Sequence, residues 1–151
     1  MLYSILLPLH SILRWVVVIL AVVTIGRALY GWLGKKPWVL LDRRLSAFFI
    51  TGLEIQVLLG VILYFVSPVN QIALQNFAAA MGNAEQRFIA VEHVVGMILA
   101  LGVAHGGRTL SRKARDSFKK HRNAALFYIL AIAIVLLSIP WDGRPLIRFW
   151  G

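Results

Sequence analysis

Four stretches of the chain are continuously apolar, and each is long enough to cross a bilayer, which takes about 20 residues of helix. They lie near Ser4–Ile25, Ala47–Val66, Phe88–His105 and Asn123–Ile139. Polar, glycine-rich or basic segments separate them. The pattern predicts an all-α membrane protein, a single domain of residues 1–151 built as a four-transmembrane-helix bundle.

The first stretch differs from a signal peptide, because it contains Arg14 and lacks both a basic leader and a small-residue cleavage site. We therefore expect it to be a retained span. The second stretch ends at a Ser-Pro break, and the link that follows predicts a short helix in the membrane interface within residues 71–81.

The charges predict the orientation. The chain has 16 Lys+Arg against 6 Asp+Glu, a net charge of +10. Twelve of the basic residues fall in the two links that follow spans one and three: Arg27, Lys35, Lys36, Arg43, Arg44, Arg108, Arg112, Lys113, Arg115, Lys119, Lys120 and Arg122. The positive-inside rule then places both termini on the outer, periplasmic side of a bacterial inner membrane. The charge indicates topology and attraction to membrane lipid rather than nucleic-acid binding.

Two histidines stand at matching depth. His10 and His93 each lie a little over one turn from the outer end of spans that run in the same direction. Two imidazoles at one level in an apolar bundle are what bis-histidine haem ligation requires. The absence of cysteine excludes thiolate ligands and thioether-attached haem.

Gly96 lies three residues after His93 and shares its helix face, where it would let a flat macrocycle or another helix approach. Gly96, Ala100 and Ala104 also form a row of small residues that is typical of a helix-packing seam. The two interpretations are compatible.

Arg14 and Glu54 are charges at mid-membrane depth on spans one and two. Helical rise places them within about 5 Å of each other in depth, which predicts an ion pair. Such a pair could fix the helix arrangement, hold a ligand group such as a quinone oxygen, or relay protons.

Three arginines on the predicted outer side, Arg87, Arg144 and Arg148, are candidates to meet haem propionates. Interfacial snorkelling is the alternative for each of them. On the inner side, His105 and His121 are candidates for a weaker second haem site. However, Lys119, Lys120 and Arg122 surround His121, as in a solvated basic loop.

The segments LHSILRWVVV, LEIQVLLGVILYFV and RFIAVEHVVGMILA resemble a group of small bacterial four-helix membrane proteins labelled b-type cytochromes. The resemblance implies haem b held between bundle histidines and electron exchange with quinone. It implies His10 and His93 as ligands, with Arg14 and Glu54 beside the site. Span two has no histidine, so the chain departs from the two-haem pattern and one outer haem is expected.

Three functions remain open. The first is an electron carrier with one haem b near the outer leaflet, exchanging electrons with quinone or a periplasmic partner, rather than a stand-alone enzyme. The second is a haem-free accessory or assembly subunit of a larger respiratory complex, in which the polar side chains specify packing. The third is copper or proton handling by the outer histidines and Glu92.

Overall fold

The computed structural model describes residues 2–141, and this part of the chain is helical throughout, with short connections. The helices are α1 (Leu2–Leu33), α2 (Leu40–Val66), α3 (Pro68–Gln75), α4 (Phe77–Gly82), α5 (Ala84–Arg87), α6 (His93–Lys113) and α7 (Ser117–Leu137). A π-helical turn, Phe88–Glu92, joins α5 to α6, so that Ala84–Lys113 forms one continuous rod.

Four of these elements are long and apolar enough to span a membrane: α1, α2, the α5–α6 rod and α7. The prediction of four spans in an all-helical, multi-pass protein is therefore confirmed. The helices run beyond several predicted boundaries: α1 continues to Leu33, and α2 begins at Leu40. The links at one end shrink to residues 34–39 and 114–116.

Local sequence signals account for the helix ends. Lys35 adopts a left-handed φ of 50°, which ends α1. At the start of α2, Asp42 Oδ2 accepts a 2.7 Å hydrogen bond from the N–H of Val39. The carboxylate of Asp116 caps α7 by accepting a 2.8 Å bond from the N–H of Lys119. Pro68 opens α3, at a position where a missing N–H costs nothing.

The spans form a four-membered ring in the order α1, α2, α6 and α7, so α1 faces α6 across the bundle. α6 packs along α7 and more loosely against α2. Small side chains such as Ala21, Ala100, Ala104 and Ala125 fill the interior around Phe49 and Tyr128. Close approach through small residues is typical of helices packed in lipid. Large apolar side chains such as Ile19, Leu58 and Leu137 point outward.

The two ends of the bundle differ. At the end that we call the cap end, residues 67–92 form the cap, which consists of α3, α4 and the first turns of the α5–α6 rod, with α3 packed against those turns. At the other, the basic end, the two short links 34–39 and 114–116 carry or adjoin most of the Lys and Arg. The predicted interfacial helix within residues 71–81 is present as two short helices, α3 and α4, broken at Asn76.

Candidate functional site

A cavity of about 340 Å³ opens at the cap end, between α1, α2, the cap and the first turn of α6. Its volume lies within the range of small-molecule sites, about 300–1,000 Å³. Polar side chains converge on it from every bordering element: Tyr3, His10, Ser11, Arg14, Tyr64, Ser67, Asn70, Glu85 and His93. Leu7, Leu63 and Ile89 supply apolar wall.

His10 and His93 face each other at this cavity. Their ring centroids are 6.5 Å apart, with the ring planes inclined by 72°. The two residues belong to α1 and α6, which lie on opposite sides of the helix ring, so the imidazoles meet across the interior. The prediction that these two histidines share one depth is therefore confirmed by their contact.

A backbone carbonyl orients His93. Its Nδ1 lies 2.6 Å from the carbonyl oxygen of Ser138, the residue that ends α7. A carbonyl can only accept, so Nδ1 carries the hydrogen and Nε2 keeps its lone pair. Metal-binding histidines usually donate their second ring nitrogen to a carbonyl or carboxylate in this way, which fixes the tautomer and makes the ligand more basic.

Gly96 makes that contact possible. A Cβ at this position would overlap the Ser138 side chain, so only glycine allows the end of α7 to lie this close to α6. Gly96 is buried, and its role in the structure is helix packing, which in turn delivers the Ser138 carbonyl to His93. Of the two interpretations of Gly96, the structure shows the packing one.

Two residues of α2 surround His10. The side chain of Gln56 donates a 3.0 Å hydrogen bond to the carbonyl oxygen of His10. One turn later, a Cβ on Gly60 would lie 3.2 Å from His10 Cε1, so the glycine leaves room for the ring. Within the described residues, the buried Nδ1 of His10 has no hydrogen-bond partner. No described residue therefore engages this ring nitrogen of His10.

Arg14 lines the same cavity, one turn deeper than His10. Its guanidinium lies 3.4 Å from Ser11 Oγ and 5.7 Å from the centre of the Trp15 ring. The predicted Arg14–Glu54 ion pair is wrong. Glu54 points away from the cavity toward α6, where its Oε1 lies 2.9 Å from His105 Nε2.

The Glu54–His105 pair lies on the outer surface of the bundle, since both side chains are nearly half exposed. The similar depth of Arg14 and Glu54 therefore did not bring the two side chains into contact. Depth along the axis follows from counting residues, but the direction of each side chain around its helix depends on the bundle arrangement.

Arg87, a predicted propionate contact, donates from Nε to Glu92 Oε1 at 2.7 Å, and both side chains are about half exposed. The described lining of the cavity includes Glu85 but not Arg87. Arg144 and Arg148 lie outside the described residues.

His105 and His121, the predicted second pair, have separate partners. The His121 ring is completely buried, 4.8 Å from the Trp38 ring, and its Nε2 lies 4.0 Å from Asp42 Oδ2. The expected solvated setting of His121 is therefore wrong. Gly31 faces this ring with no space for a Cβ, so His121 fills a packing position.

Sequence reasoning missed Gln56, Gly60, Asn70 and Ser138. Gln56 and Gly60 were visible as a polar residue and a glycine one turn apart in an apolar span. Asn70 is buried at the cavity, and its Oδ1 has no hydrogen-bond partner within residues 2–141. Nothing in the sequence pattern indicated the Ser138 carbonyl, because its role depends on where α7 ends.

Within the same residues, no three His, Cys, Asp or Glu side chains converge on one point. A tetrahedral zinc site draws three or four protein ligands, whereas haem iron needs only two axial ones. No family model, curated protein or solved structure matches this chain.

Proposed function

We propose that the protein is an integral-membrane electron carrier that holds one haem b between His10 and His93. The observation that carries the proposal is the meeting of these two imidazoles across the bundle interior, 6.5 Å between centroids. Two imidazole nitrogens on opposite sides of one metal ion are about 4 Å apart, since each metal–nitrogen bond is about 2.0 Å. The 6.5 Å between the ring centroids leaves room for a metal ion bonded to one nitrogen of each ring.

The surroundings of the pair support the same function. The Ser138 carbonyl holds the His93 tautomer that leaves Nε2 as a ligand atom. Gly60 leaves space beside His10, and the cavity of about 340 Å³ continues from both rings toward the cap. Haem in such a site supplies reversible one-electron chemistry at its iron.

The protein's own residues would influence the reduction potential of the haem and the choice of its exchange partner. The bundle half-buries the two rings, and Arg14 places a positive charge within the same cavity. A nearby cation favours the reduced, less positive state of a redox centre. By the positive-inside rule the cap end faces the periplasm, so the exchange partner is a quinol or a periplasmic protein.

The test is a dithionite-reduced minus air-oxidised absorption spectrum of detergent-purified protein, with a pyridine-haemochrome assay. We expect a b-type spectrum at about one haem per chain. His93→Ala and His10→Ala should abolish it. His105→Ala removes a histidine from the same helix as His93, and it should leave haem content unchanged.

His93→Met sharpens the test, because a thioether at this position can replace imidazole as an axial ligand and raise the reduction potential. Haem retained in full by both alanine variants would contradict the ligand assignment. A colourless wild-type protein from haem-replete cells would contradict the function.

A second candidate is a haem-free subunit of a larger membrane complex, and the Glu54–His105 pair favours it. Ionisable side chains within spans nearly always face the interior of a bundle, yet this pair is nearly half exposed on its outside. A neighbouring membrane protein would cover it. Stable co-purification that is lost in Glu54→Leu, together with a colourless protein, would support this candidate over the first.

A further inference from the structure

A second large cavity, of about 330 Å³, lies at the basic end of the bundle. It is bordered by the first two turns of α2 and the last turns of α6, with Tyr128 of α7 at its inner wall. It shares no lining residue with the cavity at His10 and His93, so whatever binds here is independent of the proposed haem.

Four arginines converge on this cavity. Arg43 and Arg44 come from α2, while Arg108 and Arg112 stand one turn apart on the same face of α6. The described lining contains no acidic residue, and none of the four arginines takes part in an ion pair within residues 2–141. By contrast, the nearby Arg27 is paired with Asp42 at 2.7 Å.

The other lining groups indicate which anion fits. The hydroxyl of Tyr128 is buried at the inner wall, and Ser46 and Ser111 add two further hydroxyl groups to the lining. Guanidinium groups bind phosphate oxygens in bidentate geometry. Leu40 and Ala47 provide apolar wall beside the arginines, and Trp38, a residue type common at the bilayer interface, lies at one side.

We infer that this cavity binds a phosphate group, carried either by an anionic phospholipid or by a small soluble phosphate ester. The position favours the lipid, because basic pockets between transmembrane helices on the cytoplasmic side are suited to phospholipid headgroups. Snorkelling arginines spread over a surface would give only diffuse attraction. The cavity predicts saturable binding at one site.

The experiment uses the full chain purified in neutral detergent, with native mass spectrometry to count bound lipid and thermal stabilisation to measure affinity. Three probes are compared: phosphatidylglycerol, phosphatidylcholine and glycerol 1-phosphate. We expect one phosphatidylglycerol per chain, with weaker binding of phosphatidylcholine, whose choline offsets the phosphate charge. Saturable binding of glycerol 1-phosphate at equal affinity would assign the site to soluble phosphate esters.

The variant Arg43→Gln/Arg112→Gln removes one arginine from each side of the cavity. It should weaken phosphatidylglycerol binding roughly 25-fold, since each basic residue near the headgroup contributes about fivefold. The control Lys113→Gln/Arg115→Gln removes the same charge at the same end, outside the described cavity lining. It should weaken binding less than the cavity variant does, because these two side chains supply only screened, long-range attraction to the headgroup.

Equal weakening by both variants, or uptake of every lipid without saturation, would overturn the proposal. The pair Arg43→Lys/Arg112→Lys keeps the charge and loses only the bidentate geometry, so it provides a second test if the glutamine variant does not fold. It should bind several-fold more weakly than the wild type, and unchanged affinity would also contradict the proposal.

Discussion

The two ends of the bundle both place histidine between packed helices, and they differ in what surrounds the rings. At the cap end, His10 and His93 border a cavity of about 340 Å³. At the basic end, His121 lies against Gly31 and Trp38, and the gap beside this cluster holds essentially no free volume. His121 is fully buried, whereas His10 and His93 are half-buried beside a cavity, so access to open space is what distinguishes the proposed ligand site from a packing position.

The carboxylate beside His121 is paired from within the bundle. Asp42, which is 3% exposed, accepts hydrogen bonds from Arg27 and from the Val39 N–H. Under the proposed function, changes around His121 should lower the free energy of unfolding and leave haem content unchanged. Changes around His93 should instead lower the haem content.

Asp42→Ala should have the largest effect on stability. It removes the partner of Arg27 and leaves the Val39 N–H without an acceptor, and breaking a buried ion pair costs about 3 kcal/mol. The free energy of unfolding, measured by SDS titration in mixed micelles, reports the loss. Haem content per folded chain should stay at the wild-type value. A loss of haem per folded chain in this variant would contradict the distinction drawn between the two ends of the bundle.

His121→Ala should cost about 2 kcal/mol of unfolding free energy, because it empties a tightly packed position against Gly31 and Trp38. The same titration measures it, and the haem spectrum should not change. His93→Ala is the counterpart, with loss of haem as its main effect. If His121→Ala instead lost haem, the packing role assigned to this ring would be wrong.

Gly96→Ala should cost about 1.5 kcal/mol by overpacking against Ser138, and it should loosen haem retention because the Ser138 carbonyl is displaced from His93. Gly102→Ala is the control on the same helix. No atom lies within 4 Å of a Cβ there, so we expect it to gain up to about 1 kcal/mol. Dialysis against apomyoglobin measures haem retention, and equal effects of the two substitutions would contradict the packing argument.

The smallest effect concerns Asp116, which is exposed at the basic end. The hydrogen bond from the Lys119 N–H lowers the pKa of this carboxyl below its ordinary value of about 3.9. Its stabilising contribution is therefore present above that pH and disappears as the pH falls through the folded-state pKa. Asp116→Ala should slightly lower the melting temperature at pH 6, with the difference from wild type shrinking as the pH falls below about 3.9.

The sequence predicted the spans and the histidine pair for one reason, namely that both depend on position along a helix axis. His10 and His93 meet because two helices running in the same direction carry them at the same distance from one end. The ion pair of Arg14 with Glu54 was wrong because contact also depends on rotation about each axis, and no sequence pattern encodes how the helices are ordered in the ring.

The burial of His121 could have been predicted from the sequence. Its immediate neighbours are basic, but His121, Ala124, Ala125 and Tyr128 share one face at helical spacing, and all four are buried. The helical periodicity of these residues was a better guide to the burial of His121 than the charges next to it in the sequence. The Ser138 carbonyl, by contrast, could not be predicted, since a backbone acceptor becomes available only where the three-dimensional course of α7 brings its end to α6.

The π-helical turn at Phe88–Glu92 gives the chain a place where length can change without disturbing the bundle. A π turn holds one residue more than the α-helix it interrupts. Loss of a single residue there would restore α-helical geometry with little rotation of the preceding residues relative to His93. The packing of α6 against α7 would keep its register. Insertions and deletions in relatives of this protein should therefore collect at this turn, which separates the evolution of the cap from that of the histidine pair.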